Sequence, residues 1–319
     1  MMPTALTTER SSTTRTRLAR RLLPVLYTHR LASTRQLHEL LMPHTRSTVY
    51  LRRVLGELRR DGLVDAVAHR AAWPGQSQSL WFTTPAGCEL VEAGGEVQPR
   101  TWNMSSQAAG GMLQEHMLTV VETGLVFTRW ARRLGHECGP LSWEPEVAHR
   151  IRDRGRGPRD GSVLIADAVL HYTHTRGDER TLHTLFLEID RCTEPVATLR
   201  EKLRHYAAYR TYSPAHGTAP SGGPGAEAWR ERYATFPQPL IVLSDAPERT
   251  LARRTADLRA LVQAQPRLAH ALEAIGAGVT TLTALTDHGP CAAVLTPLGA
   301  GEAPVALLPE PDAKEAIRR

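Results

Sequence analysis

A chain of 319 residues, 41% hydrophobic and 23% charged, is long enough for two domains, each burying its own core. No apolar run approaches the roughly 18–20 residues needed to cross a bilayer, so a membrane span is not expected. Four cysteines, at 88, 138, 192 and 291, form no CxxC pair, which argues against a zinc site or a disulfide framework and suits a reducing, bacterial-type cytoplasm. The net charge of +6 is concentrated: between Arg15 and Arg70 twelve arginines face Glu39, Glu57, Asp61 and Asp65, so this segment carries +8 and the rest −2. That is the footprint expected of a surface for phosphate.

Residues 1–14 are Thr-rich and carry arginine but no apolar stretch, and read as a disordered arm rather than a signal peptide. From 15 to 30, Leu18, Leu22, Val25 and Leu26 recur at helical spacing, with Pro24 expected to kink or divide the helix. Ser33 is placed to cap a second helix through Gln36, Leu37, Leu40 and Leu41, which Pro43 stops. Ser47 is placed to cap a third, whose Val49, Leu51, Val54, Leu55 and Leu58 make an apolar stripe and which Gly62 ends. A strand around Leu63–Ala68, a loop through Trp73, Pro74 and Gly75 and a returning strand in SQSLWFTT make a hairpin. Thr84–Pro85 then opens a fourth helix.

Helix, helix, helix, hairpin, helix is the order of a winged helix-turn-helix, here over 15–93. Its third helix is the one expected in a DNA major groove. Arg46, Ser47, Thr48, Tyr50, Arg52 and Arg53 are its outward candidates for DNA binding. Arg70 and the loop Gln76–Gln78 belong to the wing. The competing reading is a winged helix used for protein contacts, with Arg52 and Arg53 merely solvated; the local charge excess favours double-stranded DNA.

Residues 94–111 are polar and Gly-rich at both ends and read as a linker. A second domain is expected over 112–297, followed by a flexible tail, 298–319. A long amphipathic helix from about Met112 to Leu134 leads to three strand candidates, LSWEPEVAH, SVLIADAVLHYTH and TLHTLFLEID. Glu194–Pro195 starts a helix through Leu199, Leu203 and Tyr206, and TYSPAHGTAPSGGPGAEA is too polar to pack. The strand PLIVLSD, a helix over Pro247–Ala264 and the strand VTTLTAL complete an α/β domain with a mixed central sheet.

Within that domain Asp167 interrupts an apolar run, and Glu188 and Asp190, two apart on one strand, share a face. A hairpin between neighbouring strands brings Asp167 towards both. Three carboxylates together repel, so such a cluster calls for a divalent cation, Mg²⁺ or Mn²⁺, or for basic partners; Arg191, Arg200 and Lys202 are the nearest in sequence. Glu115, His116 and Glu122 lie on the long helix, and Glu122 is a further candidate for the cluster. His171, His174 and His183 alternate along the hairpin and are read as scattered surface histidines before a metal set. Cys192 has no histidine at a spacing that would make it a nucleophile. Neither GxxxxGK[ST] nor GxGxxG occurs.

These marks together resemble the replication-relaxation family of actinobacterial plasmids and mobile elements. The resemblance runs over about 15–297 and rests on ASTRQLHELLMP, LWFTTPAG, the helix with His116, IADAVLHY and FLEIDRCTEPVATLREKLRHYAAY. Asp167, Glu188, Asp190, Arg191, Thr193, Glu194, Lys202 and Tyr206 match the family motif, while Ala166 stands where a proline is expected. The second domain is similar to the PD-(D/E)xK nucleases, a restriction-endonuclease-like α/β fold. Where that motif has a lysine two residues past the glutamate, this chain has Asp190. Some members move the lysine to the next helix, where Lys202 lies.

The resemblance therefore implies a catalytic set of Asp167, Glu188, Asp190 and Lys202, with Asp167, Glu188 and Asp190 as metal ligands. The expected function is a DNA-binding protein of a plasmid or mobile element, involved in replication or DNA relaxation, with metal-dependent nicking. The alternative is a non-catalytic initiator accessory factor or transcriptional regulator with a degenerate nuclease fold. A second copy of the chain and replication or transfer proteins of the same element are the further expected partners. A small-molecule sensor is least favoured, because the second domain offers acids rather than an apolar pocket lining.

Overall fold

The computed structural model describes residues 5–69, 79–100, 104–111, 113–153, 163–214, 226–301 and 303–309. The chain divides into two compact units, 1–125 with 139–141, and 126–138 with 142–319.

In the first unit, helix α1 (Ala5–His29) begins within the arm that composition left without structure, and it runs through Pro24 unbroken. Strand β1 (Ala32–Ser33) leads directly into α2 (Thr34–Leu41), whose start is fixed by a reciprocal capping box. Ser33 Oγ accepts the Gln36 N–H at 3.2 Å, and Gln36 Oε1 accepts the Ser33 N–H at 3.1 Å. Helix α3 (Val49–Arg60) buries Leu51, Val54, Leu55 and Leu58. Val49, expected in that stripe, is exposed instead. At 100° per residue it lies about 200° from Leu51, on the opposite side of the helix. Ser47 is not the N-cap; Thr48 holds that position without a side-chain cap, and Ser47 Oγ accepts the Val49 N–H at 3.3 Å. Gly62, at φ 73°, turns the chain out of α3 in the left-handed conformation that glycine adopts without strain.

Strands β2 (Val64–Ala68) and β3 (Ser79–Thr83) pair antiparallel, Val64 with Thr83 through Ala68 with Ser79, and β1 joins the far side of β3. Thr84 caps α4 (Pro85–Ala93) through the Gly87 N–H. The stretch 94–111, read as a linker, contains the short helix α5 (Ser106–Ala109). Its Met104 and Ala109 are buried against Leu31, Leu80 and Phe82, so this segment is part of the first unit's core. Helix α6 (Gln114–Leu134) continues from the first unit into the second, and the division falls inside it at Leu125.

The second unit is built on β4 (Trp143–Arg150), β5 (Val163–Arg176) and β6 (Glu179–Asp190), then α7 (Val196–Thr211) and a 3-10 turn, Ala228–Glu231. There follow β7 (Gln238–Leu243), α8 (Glu248–Gln263), α9 (Pro266–Ala274), β8 (Gly278–Thr281), α10 (Leu282–His288), β9 (Ala293–Pro297) and β10 (Val305–Ala306). The seven strands lie in the order β10-β9-β8-β7-β6-β5-β4. β6, β7 and β8 are parallel to one another and the outer pairings are antiparallel, which makes the sheet mixed. Phe186, Ile241, Leu243 and Val279 of the sheet share a core with Leu203 and Tyr206 of α7, Leu258 of α8 and Leu272 of α9. The segment 298–309, assigned to a flexible tail, buries Leu298, Leu307 and Leu308.

Candidate functional site

Strand β5 lies between β4 and β6, and both of its ladders fail at one residue. The β5–β6 pairing runs from Arg176↔Glu179 to Ala168↔Leu187 and stops there. The β4–β5 pairing passes from Pro145↔Ala168 to Val147↔Ala166 with no pair at Glu146 and Asp167, and Glu146 sits at φ 54°. Ala166 and Val169, three apart, belong to the same buried cluster, so the alternation of faces slips at Asp167. Its side chain replaces the lost ladder: Asp167 Oδ2 accepts the Ile189 N–H at 2.7 Å. Past Leu187, the residues Glu188, Ile189 and Asp190 remain paired to β7.

The opening between β5 and β6 is filled from α7. Lys202 and Tyr206, one turn apart, present the same helix face to β6. Lys202 Nζ donates to Glu188 Oε2 at 2.6 Å and lies 3.6 Å from Asp167 Oδ1. The Tyr206 hydroxyl donates to the other oxygen, Glu188 Oε1, at 2.5 Å. Glu188 is 2% exposed, whereas the Lys202 side chain is 34% exposed. The site is thus a buried acid held by two donors, one of which reaches solvent.

Burial, then the adjacent Asp167 charge, push the Glu188 carboxyl's pKa upwards, and Lys202 and Tyr206 pull against them. For Lys202, burial works to lower the ammonium's proton affinity, but the neighbouring Glu188 and Asp167 outweigh it and hold it above the ordinary lysine range. The Tyr206 hydroxyl is held protonated by its burial and by Glu188. Lys202 therefore stays charged at neutral pH and is the fixed positive group of the cluster.

A family model described as replication-relaxation matches residues 23–221, more than half of the chain. The chain belongs to the replication-relaxation family. Comparison with curated proteins and with solved structures finds no match. The matched span of this replication-relaxation protein contains α3 and all four residues Asp167, Glu188, Lys202 and Tyr206; it ends before β7 and α8.

Asp190 stands apart from that cluster. The Arg254 guanidinium of α8 donates through Nε to its Oδ2 and through Nη2 to its Oδ1 at 3.0 Å, and Nη2 also reaches the Glu194 carbonyl at 2.6 Å. The Cys192 N–H adds a third bond to Oδ1 at 3.0 Å. Arg191 pairs with Asp245 at 2.5 Å. Among the described residues no three His, Cys, Asp or Glu side chains are grouped as metal ligands would be. Asp167 and Glu188 are the hard oxygen donors that face a common point, and that point holds the Lys202 ammonium. Arg254 was not foreseen, since nothing on a polar helix 64 residues from Asp190 marks it. The Tyr206 bond was within reach of sequence reasoning, from its i+4 relation to Lys202.

Glu122 lies elsewhere, bonded to Arg35 and, at 3.4 Å, to Gln36 of α2. Of the alternating histidines, His171 is exposed beside Thr184. His174 is buried and not a surface group; its ring centre lies 4.4 Å from that of buried His136 and 6.3 Å from that of His183. Burial first, and then Asp190, raises the Cys192 thiol's proton affinity, which disfavours a nucleophilic thiolate.

On the first unit, Arg46, Ser47, Arg52 and Arg53 are exposed, and Thr48 and Tyr50 are half-buried. Neither Arg52 nor Arg53 pairs with an acid among the described residues, while Arg59 is held by Asp65 at 2.8 Å. Arg70 and Gln76–Gln78 lie outside the described residues.

Proposed function

We propose that this chain is a DNA-binding protein acting in the replication or relaxation of a plasmid or mobile element. In this reading the first unit is a winged helix that lays α3 in the major groove. The second is a nuclease-like domain that meets the phosphodiester backbone at Asp167, Glu188 and Lys202. The carrying observation is the convergence of those three side chains, from β5, β6 and α7, where the β5–β6 ladder opens. Lys202 adds weight: it is the sole lysine among the described residues, in a chain whose other basic groups are almost all arginine.

Asp167 and Glu188 are the residues that would hold Mg²⁺ or Mn²⁺, and the bound ion would stabilise charge on the scissile phosphate. Tyr206 fixes the orientation of Glu188. Lys202, with a four-carbon stem and access to solvent, positions water or a phosphate oxygen. Arg46, Arg52 and Arg53 supply sequence-independent phosphate contacts.

A binding-only role has one specific observation in its favour. Where a nuclease of this kind carries its strand lysine, Asp190 is neutralised by Arg254, and among the described residues no second ammonium reaches the acids. Incubating supercoiled plasmid with the wild type, Asp167→Asn and Lys202→Ala, in Mn²⁺ and in EDTA, separates the two. Nicking is expected only with Mn²⁺, with Lys202→Ala losing on the order of 10²–10⁴ in rate while still binding DNA through the first unit. Open-circle product at the EDTA level in every sample would leave the binding-only role.

A further inference from the structure

We infer that Lys202 is the resident cation of the acid site, and that a divalent ion can enter only by displacing its ammonium. The inference rests on the reading of Asp167 and Glu188 as the cation-facing acids and adds how access to them is controlled.

The geometry supplies the competition. Lys202 Nζ lies 2.6 Å from Glu188 Oε2 and 3.6 Å from Asp167 Oδ1, the same two oxygens that a hard divalent ion would need. The remaining oxygens are committed elsewhere, Glu188 Oε1 to Tyr206 and Asp167 Oδ2 to the Ile189 N–H. Asp190, the third acid expected at the site, does not relieve the conflict, because Arg254 holds it; Glu194 adds only its charge, the smallest of the influences on Lys202. Two acids balance one divalent ion; adding that ion beside the ammonium leaves excess positive charge against a buried carboxylate.

Lys202 also has an exit. Its side chain is 34% exposed on a flexible stem, whereas Glu188 is fixed in the sheet. A phosphate of bound DNA would draw the ammonium outwards and uncover the acids. DNA contact and cation loading would then promote each other, since coupling between two ligands is reciprocal.

The test is titration of Mn²⁺ into the full chain by calorimetry, without DNA, for wild type, Lys202→Met, Lys202→Gln and Lys202→Arg. Removing the ammonium should lower the Kd at least tenfold, with one ion bound per chain. Lys202→Arg, which keeps the charge on a group that is harder to displace, should bind Mn²⁺ no more tightly than wild type, and adding Glu188→Gln to Lys202→Met should abolish the gain. Lys202→Gln, which retains a donor to Glu188, serves if the methionine variant does not fold. Equal Kd values for wild type and the neutral variants, or an arginine variant that binds as tightly as Lys202→Met, would overturn the inference. With no DNA present, a gain in the neutral variants stands even where plasmid is not nicked. Nicking with equal Kd values defeats this inference alone.

Discussion

Replacing Arg254 with methionine should be among the most damaging single changes in the second unit. Asp190 is buried and the Arg254 side chain is only 11% exposed; two N–H···O bonds join them, and Arg254 makes a further bond to the Glu194 carbonyl. Methionine keeps much of the packing volume but strands a carboxylate that retains only the Cys192 N–H among its described side-chain partners. Breaking a buried pair from one side costs about 3–5 kcal/mol. In a unit of this size each kcal/mol moves Tm by about 2–4 °C, so a fall of about 10 °C is expected. Asp190→Asn in the same chain removes the stranded charge while keeping an acceptor for Cys192, and should recover about 2 kcal/mol. The exposed pair Arg180–Glu137 is the control, since Glu137→Ala should cost at most about 1 kcal/mol. Urea and thermal unfolding followed by circular dichroism measure all three. An Arg254→Met chain within 1 kcal/mol of wild type, or a double variant no more stable than the single, would refute the structural assignment of Asp190.

Reversing Arg52 and Arg53 to glutamate should weaken binding to every duplex and lower the slope of log K against log salt by about 1.8, as the loss of two phosphate contacts requires. Unchanged anisotropy titrations would remove α3 from the DNA interface. His149 is buried against Phe186 and Tyr209, with Nε2 at 2.7 Å from the Tyr233 hydroxyl. Burial, then the Arg232 charge, lowers its pKa to about 4 from 6.5, so its neutral form stabilises the fold above pH 6.5 and that contribution is lost as pH falls towards 4. The loss approaches about 3 kcal/mol at full protonation, and His149→Phe should flatten the stability profile between pH 4 and 6.5; an unaltered slope counts against it.

Several signals carried within a few residues were legible in the sequence, although Ser47, read as a cap, gave that position to Thr48. The Ser33–Gln36 capping box, the Thr84–Pro85 helix start and the turn at Gly62 each depend on neighbours one to four positions away. Val49 was misplaced because it was counted with the stripe for being apolar, although two positions from Leu51 is half a turn off the buried face. The segments 94–111 and 298–309 were taken as mobile because Gly and Pro dilute their apolar residues. Met104, Ala109, Leu307 and Leu308 nevertheless find cores supplied by distant parts of the chain. In the site, strand period placed Glu188 and Asp190 on one face, and the hairpin brought Asp167 to Glu188. Which acid met which cation was not legible, since Arg254 reaches Asp190 only through the β6–β7–α8 topology.

The two acids of β6 are set apart by the chemistry of their partners as much as by position. A guanidinium is a rigid fork that matches both oxygens of one carboxylate, and Arg254 uses it on Asp190 while Nη2 also donates to the Glu194 carbonyl. Such a contact is hard to exchange. An ammonium is a point charge on a flexible stem and can serve oxygens from two strands at once, as Lys202 does for Glu188 and Asp167. It can also leave. In a chain that uses arginine for nearly every positive charge, lysine stands at the position where the cation must be displaceable, and arginine where the charge must stay. The Asp190–Arg254 pair then holds the end of β6 in place while the neighbouring acids remain open to exchange. That division of labour explains how two carboxylates two residues apart can have different fates on one strand.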